Sequence, residues 1–241
     1  MAKIENKKIF ELPIFLLTKA SECPYITSRI EKRLATDIST NNHLHDELSL
    51  SGFRRVENWM YRPTCDNCSE CKAYRVNIKK FIFSKSFKRI LRKNHLISGT
   101  IKQNKVKEEY YKIFKKYQEN RHYGGSMSLM DYDDLKTMIE TSPINTNVIE
   151  YRNENGSLIG VMLYDTQADG LSAVYSFYDP EYNKNSVGNF MILNLIQLGL
   201  EMKLKYLYLG YFINSVDGMN YKKKFFPSEI YQDGKWSPFK S

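Results

Sequence analysis

Apolar residues recur along the chain at different spacings, and each spacing predicts a different element. Tyr74, Val76 and Ile78 alternate with Arg75, Asn77 and Lys79, the period of a half-buried strand with a basic outer face, expected to run to about Phe83. Ser84 then suits the N-cap of a helix in which Phe87, Ile90 and Leu91 share one face and Lys85, Lys88, Arg89, Arg92 and Lys93 occupy the others. Val106, Tyr110, Ile113 and Tyr117 recur at intervals of four, three and four, a helical stripe that directs its tyrosines to the core. The run from Arg121 to Gly125 closes that helix in a loop, where His122 is more simply an incidental loop histidine than a substrate contact. Asp131 to Glu140 predicts a second helix with an acidic start.

From Asn147 the pattern changes to strands. Asn147–Arg152, Leu158–Asp165 and Leu171–Tyr178 are separated by Asn155-Gly156 and Asp169-Gly170, so three antiparallel strands in succession are expected. A helix over 187–202 and a strand over Tyr206–Tyr211 follow. Earlier, His45 to Ser51 predicts a short helix closed by Gly52. The polar stretch Asn94–Asn104, with Gly99, reads as a linker and places a domain boundary near residue 103. The resulting expectation is an α+β protein: an N-terminal cysteine-containing basic domain over 1–103, then a GNAT-like acyltransferase domain over 104–241 with a mostly antiparallel sheet. A coenzyme A enzyme of that fold needs a glycine-rich loop before the later helix, where backbone N–H groups grip a pyrophosphate. Asn183 to Asn189 offers one glycine, so coenzyme A is not the expected donor.

Charge sharpens this outline. The net charge is +9, and from Lys72 to Arg121 there are 16 Lys and Arg against three acids, a local +13 that leaves −4 for the rest. Such a stripe is the footprint of a phosphate-rich partner, although a solvated lysine-rich surface gives the same pattern. The longest apolar run, Ile9 to Leu17, is broken by Glu11 and Pro13 and is too short to span a membrane, and no cleavage signal follows it; a cytoplasmic protein with no membrane partner is expected.

Three of the four cysteines, Cys65, Cys68 and Cys71, are separated by two residues each, and Cys23 in Cys23-Pro24-Tyr25 is the fourth. Thiolates at this spacing converge on a metal or cluster, with Cys23 able to complete a four-sulfur site. A chain with its own core and no secretion signal has no need of disulfide staples; zinc, an iron–sulfur cluster, or reactive or structural thiols remain open.

With these residues in view, the sequence resembles the arginyl-tRNA:protein transferase family, and specifically its bacterial aspartate/glutamate leucyltransferase branch. The resemblance runs nearly end to end. It rests on Cys23-Pro24-Tyr25, Gly52-Phe53-Arg54-Arg55, Tyr61-Arg62-Pro63 with the cysteine triplet, the run from Arg75 to Asn94, Tyr175 to Pro180, Tyr208 to Tyr211, and Met219 to Lys222 through Phe225 and Pro227. It implies transfer of leucine from Leu-tRNA to the N-terminal α-amine of proteins beginning with Asp or Glu, marking them for degradation by the N-degron route. In relatives outside this branch the cysteines are arranged differently, with an adjacent pair in place of the spaced triplet.

An aminoacyl ester is already activated, and an α-amine with a pKa of about 8 is appreciably neutral near pH 7, so catalysis reduces to alignment, oxyanion stabilisation and protonation of the leaving ribose oxygen. Tyr175, Ser176, Tyr178, Tyr211, Tyr221 and Lys222 are the candidate donors, each tyrosine being equally explicable as a packed aromatic. For the acceptor's carboxylate the candidates are Arg54, Arg55, Arg62 and Arg75, with Arg54 and Arg62 favoured and a structural salt bridge expected for at least one of the four. Lys79, Lys80, Lys85, Lys88, Arg89, Arg92 and Lys93 are the candidates for tRNA phosphates. The competing readings are arginine as the transferred group, a non-catalytic metal-stapled RNA-binding protein, and a coenzyme A acetyltransferase.

Overall fold

The computed structural model describes residues 13–121 and 124–240; His122 and the first four positions of the leading apolar run, 9–12, lie outside the described residues. In chain order the elements begin with β1 (Leu16–Leu17), β2 (Ser21–Glu22), β3 (Ile30–Glu31), β4 (Arg33–Asp37), α1 (His45–Leu50), β5 (Arg54–Val56) and β6 (Trp59–Pro63). β1, β4, β6 and β5 form a small sheet in that order, while β2 and β3 pair as a short ribbon. α1 ends as expected at Gly52, whose φ of +79° is the left-handed conformation that lets the chain turn back into β5.

The chain continues through β7 (Lys72–Asn77), α2 (Lys85–Lys93), β8 (Ser98–Gln103), α3 (Glu108–Arg121), α4 (Tyr132–Glu140), β9 (Thr146–Arg152), β10 (Leu158–Gln167), β11 (Gly170–Tyr178), α5 (Val187–Glu201), β12 (Tyr206–Phe212), β13 (Ser228–Gln232) and β14 (Lys235–Pro238). Eight of these strands make one sheet in the order β14-β13-β7-β12-β11-β10-β9-β8, antiparallel throughout except where β11 meets β12. The fold is therefore α+β with a mostly antiparallel sheet, and the succession of two helices, three strands, helix and strand follows the periodicities of the sequence. β10 is buried at nearly every successive position, which requires cover on both faces. α3 packs on β10 and β11, α5 packs on β11 and β12, and α2 packs against α5. The tyrosine stripe of α3 enters the core as the spacing implies, Tyr110, Ile113 and Tyr117 being buried. Ser84 caps α2 by accepting from the Phe87 N–H, and Asp131 and Asp134 form a reciprocal capping box on α4.

The structure corrects three local expectations. β7 ends at Asn77 and passes into a short 3-10 turn over Ile78–Lys80 instead of running to Phe83. It also has no basic outer face: lying between β12 and β13, it buries Arg75 and Asn77 along with Tyr74 and Val76. The presumed linker holds β8, which pairs with β9 from Ser98↔Arg152 to Gln103↔Asn147. Every side chain of β8 is exposed, so an edge strand held by its backbone alone carried no hydrophobic alternation to reveal it. The boundary placed near residue 103 falls between β8 and α3, and β7 and β8, from before it, share the large sheet with strands from after it.

The small sheet is locked to the large one by Arg55. Its guanidinium makes two 2.7 Å bonds to the Asp165 carboxylate on β10 and also donates to the Glu57 carbonyl at 2.8 Å, with the Thr146 hydroxyl at 3.4 Å. Both side chains are almost wholly excluded from solvent. Removing one partner leaves a buried charge uncompensated, so Asp165→Ala is expected to cost about 3–5 kcal/mol in unfolding free energy, measured by denaturant titration; a loss below about 1 kcal/mol would mean that the pair is solvated.

Candidate active site

β11 and β12 lie side by side as parallel strands only from Gly170↔Tyr206 to Ser172↔Tyr208 and then separate. The register of β12 against β7 shifts between Tyr208 and Tyr211, at Gly210 with a φ of +72°. Strands that part in this way strand backbone carbonyls between them. Two cations take these up: Arg54 Nη2 donates to the Val174 carbonyl on β11, and Lys222 Nζ donates to the Tyr211 carbonyl on β12. A Cβ at Gly210 would overlap the Arg54 guanidinium, so glycine is required both by the backbone and by the close passage of this side chain.

The split opens a cavity of about 300 Å³ lined by Arg54, Tyr117, Arg121, Met162, Val174, Tyr175, Ser176, Ile192, Leu209, Met219, Tyr221 and Lys222. A second cavity of about 270 Å³ adjoins it, sharing Tyr117, Arg121, Ser176, Ile192 and Tyr221 and adding Tyr178, Asn183, Ser186, Gly188 and Asn189 at the start of α5. Among the described residues no Asp or Glu lines either cavity. Lys222 is buried, and that burial, reinforced by the nearby Arg54 charge, lowers its pKa from 10.5 to about 7. Burial raises the Tyr175 and Tyr221 phenols, keeping both protonated at neutral pH.

The sequence candidates separate into two groups. Arg54, Tyr175, Ser176, Tyr178, Tyr221 and Lys222 meet around these cavities. The others hold the fold. Arg55 is spent on Asp165, as the salt bridge expected for one of the four arginines. Arg75 is buried between Glu229, at 2.6 Å, and the rings of Tyr206 and Trp236. Arg62 donates to the Ser51 carbonyl at 3.1 Å and lies over the Phe53 ring, bracing the end of α1. Tyr211 points its hydroxyl at the carbonyls of Gly52 and Tyr61, tying β12 to the small sheet. Arg54 and Arg55 divide because successive residues of a strand face opposite sides.

Lys79, Lys80, Lys85, Lys88, Arg89, Arg92 and Lys93 are all exposed. At the end of α2, Lys93 Nζ donates to the Lys184 carbonyl at 2.6 Å and Asn94 Nδ2 to the Asn185 carbonyl at 2.9 Å. This end of the basic stripe therefore abuts the segment that borders the second cavity.

The cysteine loop reaches the site through Tyr25, which lines the larger cavity and senses Arg54, Tyr61 and Cys71. Cys71 is pushed up to about 12, by burial first and then by Cys23, Cys65 and Cys68, so the four thiols share one neighbourhood. Among the described residues, however, no three His, Cys, Asp or Glu side chains stand in a metal-holding arrangement. Residues that the sequence pattern did not single out for the site are Tyr25, Gln118, Arg121, Met162 and Met219. For Gln118 and Arg121 a signal existed, since Arg121 lies one turn beyond Tyr117 and Gln118 one turn beyond the apolar Phe114.

A lysine with its folded pKa depressed to about 7 opposes folding at and below pH 7, where the folded state must hold the charge, and ceases to do so as pH rises toward 10.5. Lys222→Met is therefore expected to stabilise the protein by up to about 4 kcal/mol at pH 6, less the lost hydrogen bond, with the gain fading by pH 9.5. Denaturant titrations at the two pH values check this; a gain that grew with pH would show Lys222 to be charged and compensated.

Comparison with known proteins places the chain in a family. Residues 21–89 match the model for the N terminus of arginine-tRNA-protein transferase, and residues 109–232 the model for its C terminus. An aspartate/glutamate leucyltransferase of Ruegeria pomeroyi is 40% identical over 93% of this chain and 83% of its own length. The enzyme of that name from Paramagnetospirillum magneticum is 37% identical over 93% of each chain. Among solved structures, FemX is similar with a TM-score of 0.53 at 8% identity, over 93% of this chain and 87% of that one. L-PGS from Bacillus licheniformis is similar with a TM-score of 0.50 at 14% identity, over 78% of this chain, which spans only 62% of that protein. The two likenesses concern fold alone. No helix among the described residues is long and apolar enough to cross a membrane. On the match of both halves in order and the identity to whole relatives, the chain belongs to the arginine-tRNA-protein transferase family.

Proposed function

We propose that this chain transfers leucine from Leu-tRNA to the N-terminal α-amine of proteins that begin with Asp or Glu, in the cytoplasm, marking them for N-degron degradation. The observation that carries this choice is the charge of the cleft: Arg54, Arg121 and Lys222 line it, and no carboxylate does among the described residues. A transferred arginine would bring its guanidinium to a cationic cleft with no acid to pair it. Leucine fits instead beside Met162, Ile192, Leu209 and Met219. The acceptor's carboxylate has Arg54, which forms no ion pair with a described residue and spends one nitrogen on Val174. The names of the relatives in Ruegeria and Paramagnetospirillum support the same reading.

The reaction then follows from positioned groups. The α-amine attacks the ester carbonyl carbon, the carbonyl electron pair moves onto oxygen, and the bond to the ribose oxygen breaks as the amide forms. Lys222, a base near pH 7, accepts the proton that the attacking nitrogen sheds and can return it to the leaving oxygen. Tyr175, Tyr178 and Tyr221 supply hydrogen bonds to the developing charge. The exposed cations of α2 hold the tRNA, and the contacts of Lys93 and the adjoining Asn94 with residues 184 and 185 lead its 3′ end toward the cleft. Cys23, Cys65, Cys68 and Cys71 share a neighbourhood without standing in a metal-holding arrangement, and would have to draw closer together to hold zinc or an iron–sulfur cluster; metal analysis of anaerobically purified protein tests this, and metal-free protein would refute it.

The decisive assay supplies labelled Leu-tRNA, Arg-tRNA or acetyl-coenzyme A with peptides beginning Asp, Glu or Ala. Label from Leu-tRNA on the acidic peptides is expected; label from the coenzyme alone, or none on any peptide, would overturn the reading. Reversing Lys88 and Arg92 to Glu is expected to weaken tRNA binding and flatten its dependence on salt, read by filter binding between 50 and 200 mM salt on the order used for such slopes. Binding that did not change would return α2 to the role of a solvated surface.

A further inference from the structure

Two polar side chains of α3 reach into the site at one-turn spacing, and neither has a part in the reaction as described. Gln118 is fully buried, with Nε2 donating to the Tyr175 hydroxyl oxygen at 2.7 Å. Arg121 donates in the same way to the Tyr178 hydroxyl oxygen, at 3.1 Å. The Gln118 carbonyl oxygen has no hydrogen-bond partner, although buried polar atoms are nearly always satisfied. An apolar residue would fill this place without that penalty, so the amide is held for what its N–H groups do.

A phenol oxygen that accepts an amide N–H cannot send its own proton back along the same line. Tyr175 donates to no protein acceptor among the described residues, and it lines the larger cavity beside Ser176 and Lys222. We infer that Gln118 is a positioning residue that holds the Tyr175 hydroxyl as a donor aimed into the cleft, where it meets the oxyanion formed from the aminoacyl ester carbonyl. The inference rests on the transferase reading. No covalent bond to the phenol is formed or broken: the carbonyl electron pair moves to oxygen under the Tyr175 O–H, then re-forms the double bond as the ribose oxygen departs. Because burial holds the phenol in its protonated form, the donor is present throughout the neutral range.

Gln118→Glu inverts the arrangement, since a carboxylate accepts the phenol's proton instead of donating to its oxygen. With Leu-tRNA and an Asp-leading peptide, kcat is expected to fall by about 100-fold, the loss typical of an oxyanion donor, with both KM values unchanged. Gln118→Leu, which buries no charge, is expected to lower kcat by less and also leave KM alone. In a Tyr175→Phe background neither substitution should cause a further loss. Unchanged kcat in both variants, or losses that add to that of Tyr175→Phe, would overturn the inference. If the wild type transfers nothing from Leu-tRNA, the functional reading fails, and NMR of the Tyr175 13Cζ resonance still decides the positioning: the resonance is expected to move in both Gln118 variants, in opposite directions, and an unmoved resonance shows that Gln118 does not hold the phenol.

Discussion

A parallel strand pair that separates after three residues cannot satisfy its own backbone, and this constraint organises the molecule around the β11–β12 split. The groups that repair it are two long cations, Arg54 and Lys222, each giving a hydrogen bond to a carbonyl on one of the parted strands. The proposed reaction gives substrate chemistry to the same side chains that repair the backbone. The arrangement also explains why the two sheets must dock: Arg54 comes from β5 in the small sheet, and its place is secured by the Arg55–Asp165 pair one residue away and by Tyr211 bonded to Gly52 and Tyr61.

The electrostatics of the cleft follow from that docking. Two cations brought together away from carboxylates lower each other's tolerance for charge, and the burden falls on Lys222, the more deeply buried and the easier to neutralise. Lysine gives up its proton near pH 7. Under the proposed reaction Arg54 would be the anion site and Lys222 the base, a division that follows from guanidinium and amine chemistry in a shared environment.

The chain's periodicities made the core elements of the second half legible, because a stripe such as Tyr110, Ile113 and Tyr117 is a local property that packing rewards directly. β8 escaped because an edge strand with exposed side chains has no stripe, and β13 and β14 because nothing in their short sequences sets them apart from loops. Of the site, the residues near Tyr175 and Lys222 were found through their motifs, but four arginines close in sequence to the cysteines looked equivalent. Alternation does say that Arg54 and Arg55 face opposite sides; which side is the cleft depends on β10 and β12, more than a hundred residues away. The buried end of α3 posed the converse problem, since burial was predictable but the phenols opposite Gln118 and Arg121 were not.

The position of β7 carries a consequence for how the protein is made. It leaves the ribosome before both its neighbours in the sheet, β12 and β13, which follow about 130 residues or more later. At translation speeds of about 5–20 residues per second, its hydrophobic Tyr74 and Val76 wait on the order of 10 s for partners. During that interval the nascent chain carries an unpaired strand followed at once by the cationic helix α2, whose like charges discourage two such chains from pairing along that strand. The same lysines and arginines that suit a nucleic-acid surface in the finished protein would then act as gatekeepers against aggregation during its synthesis.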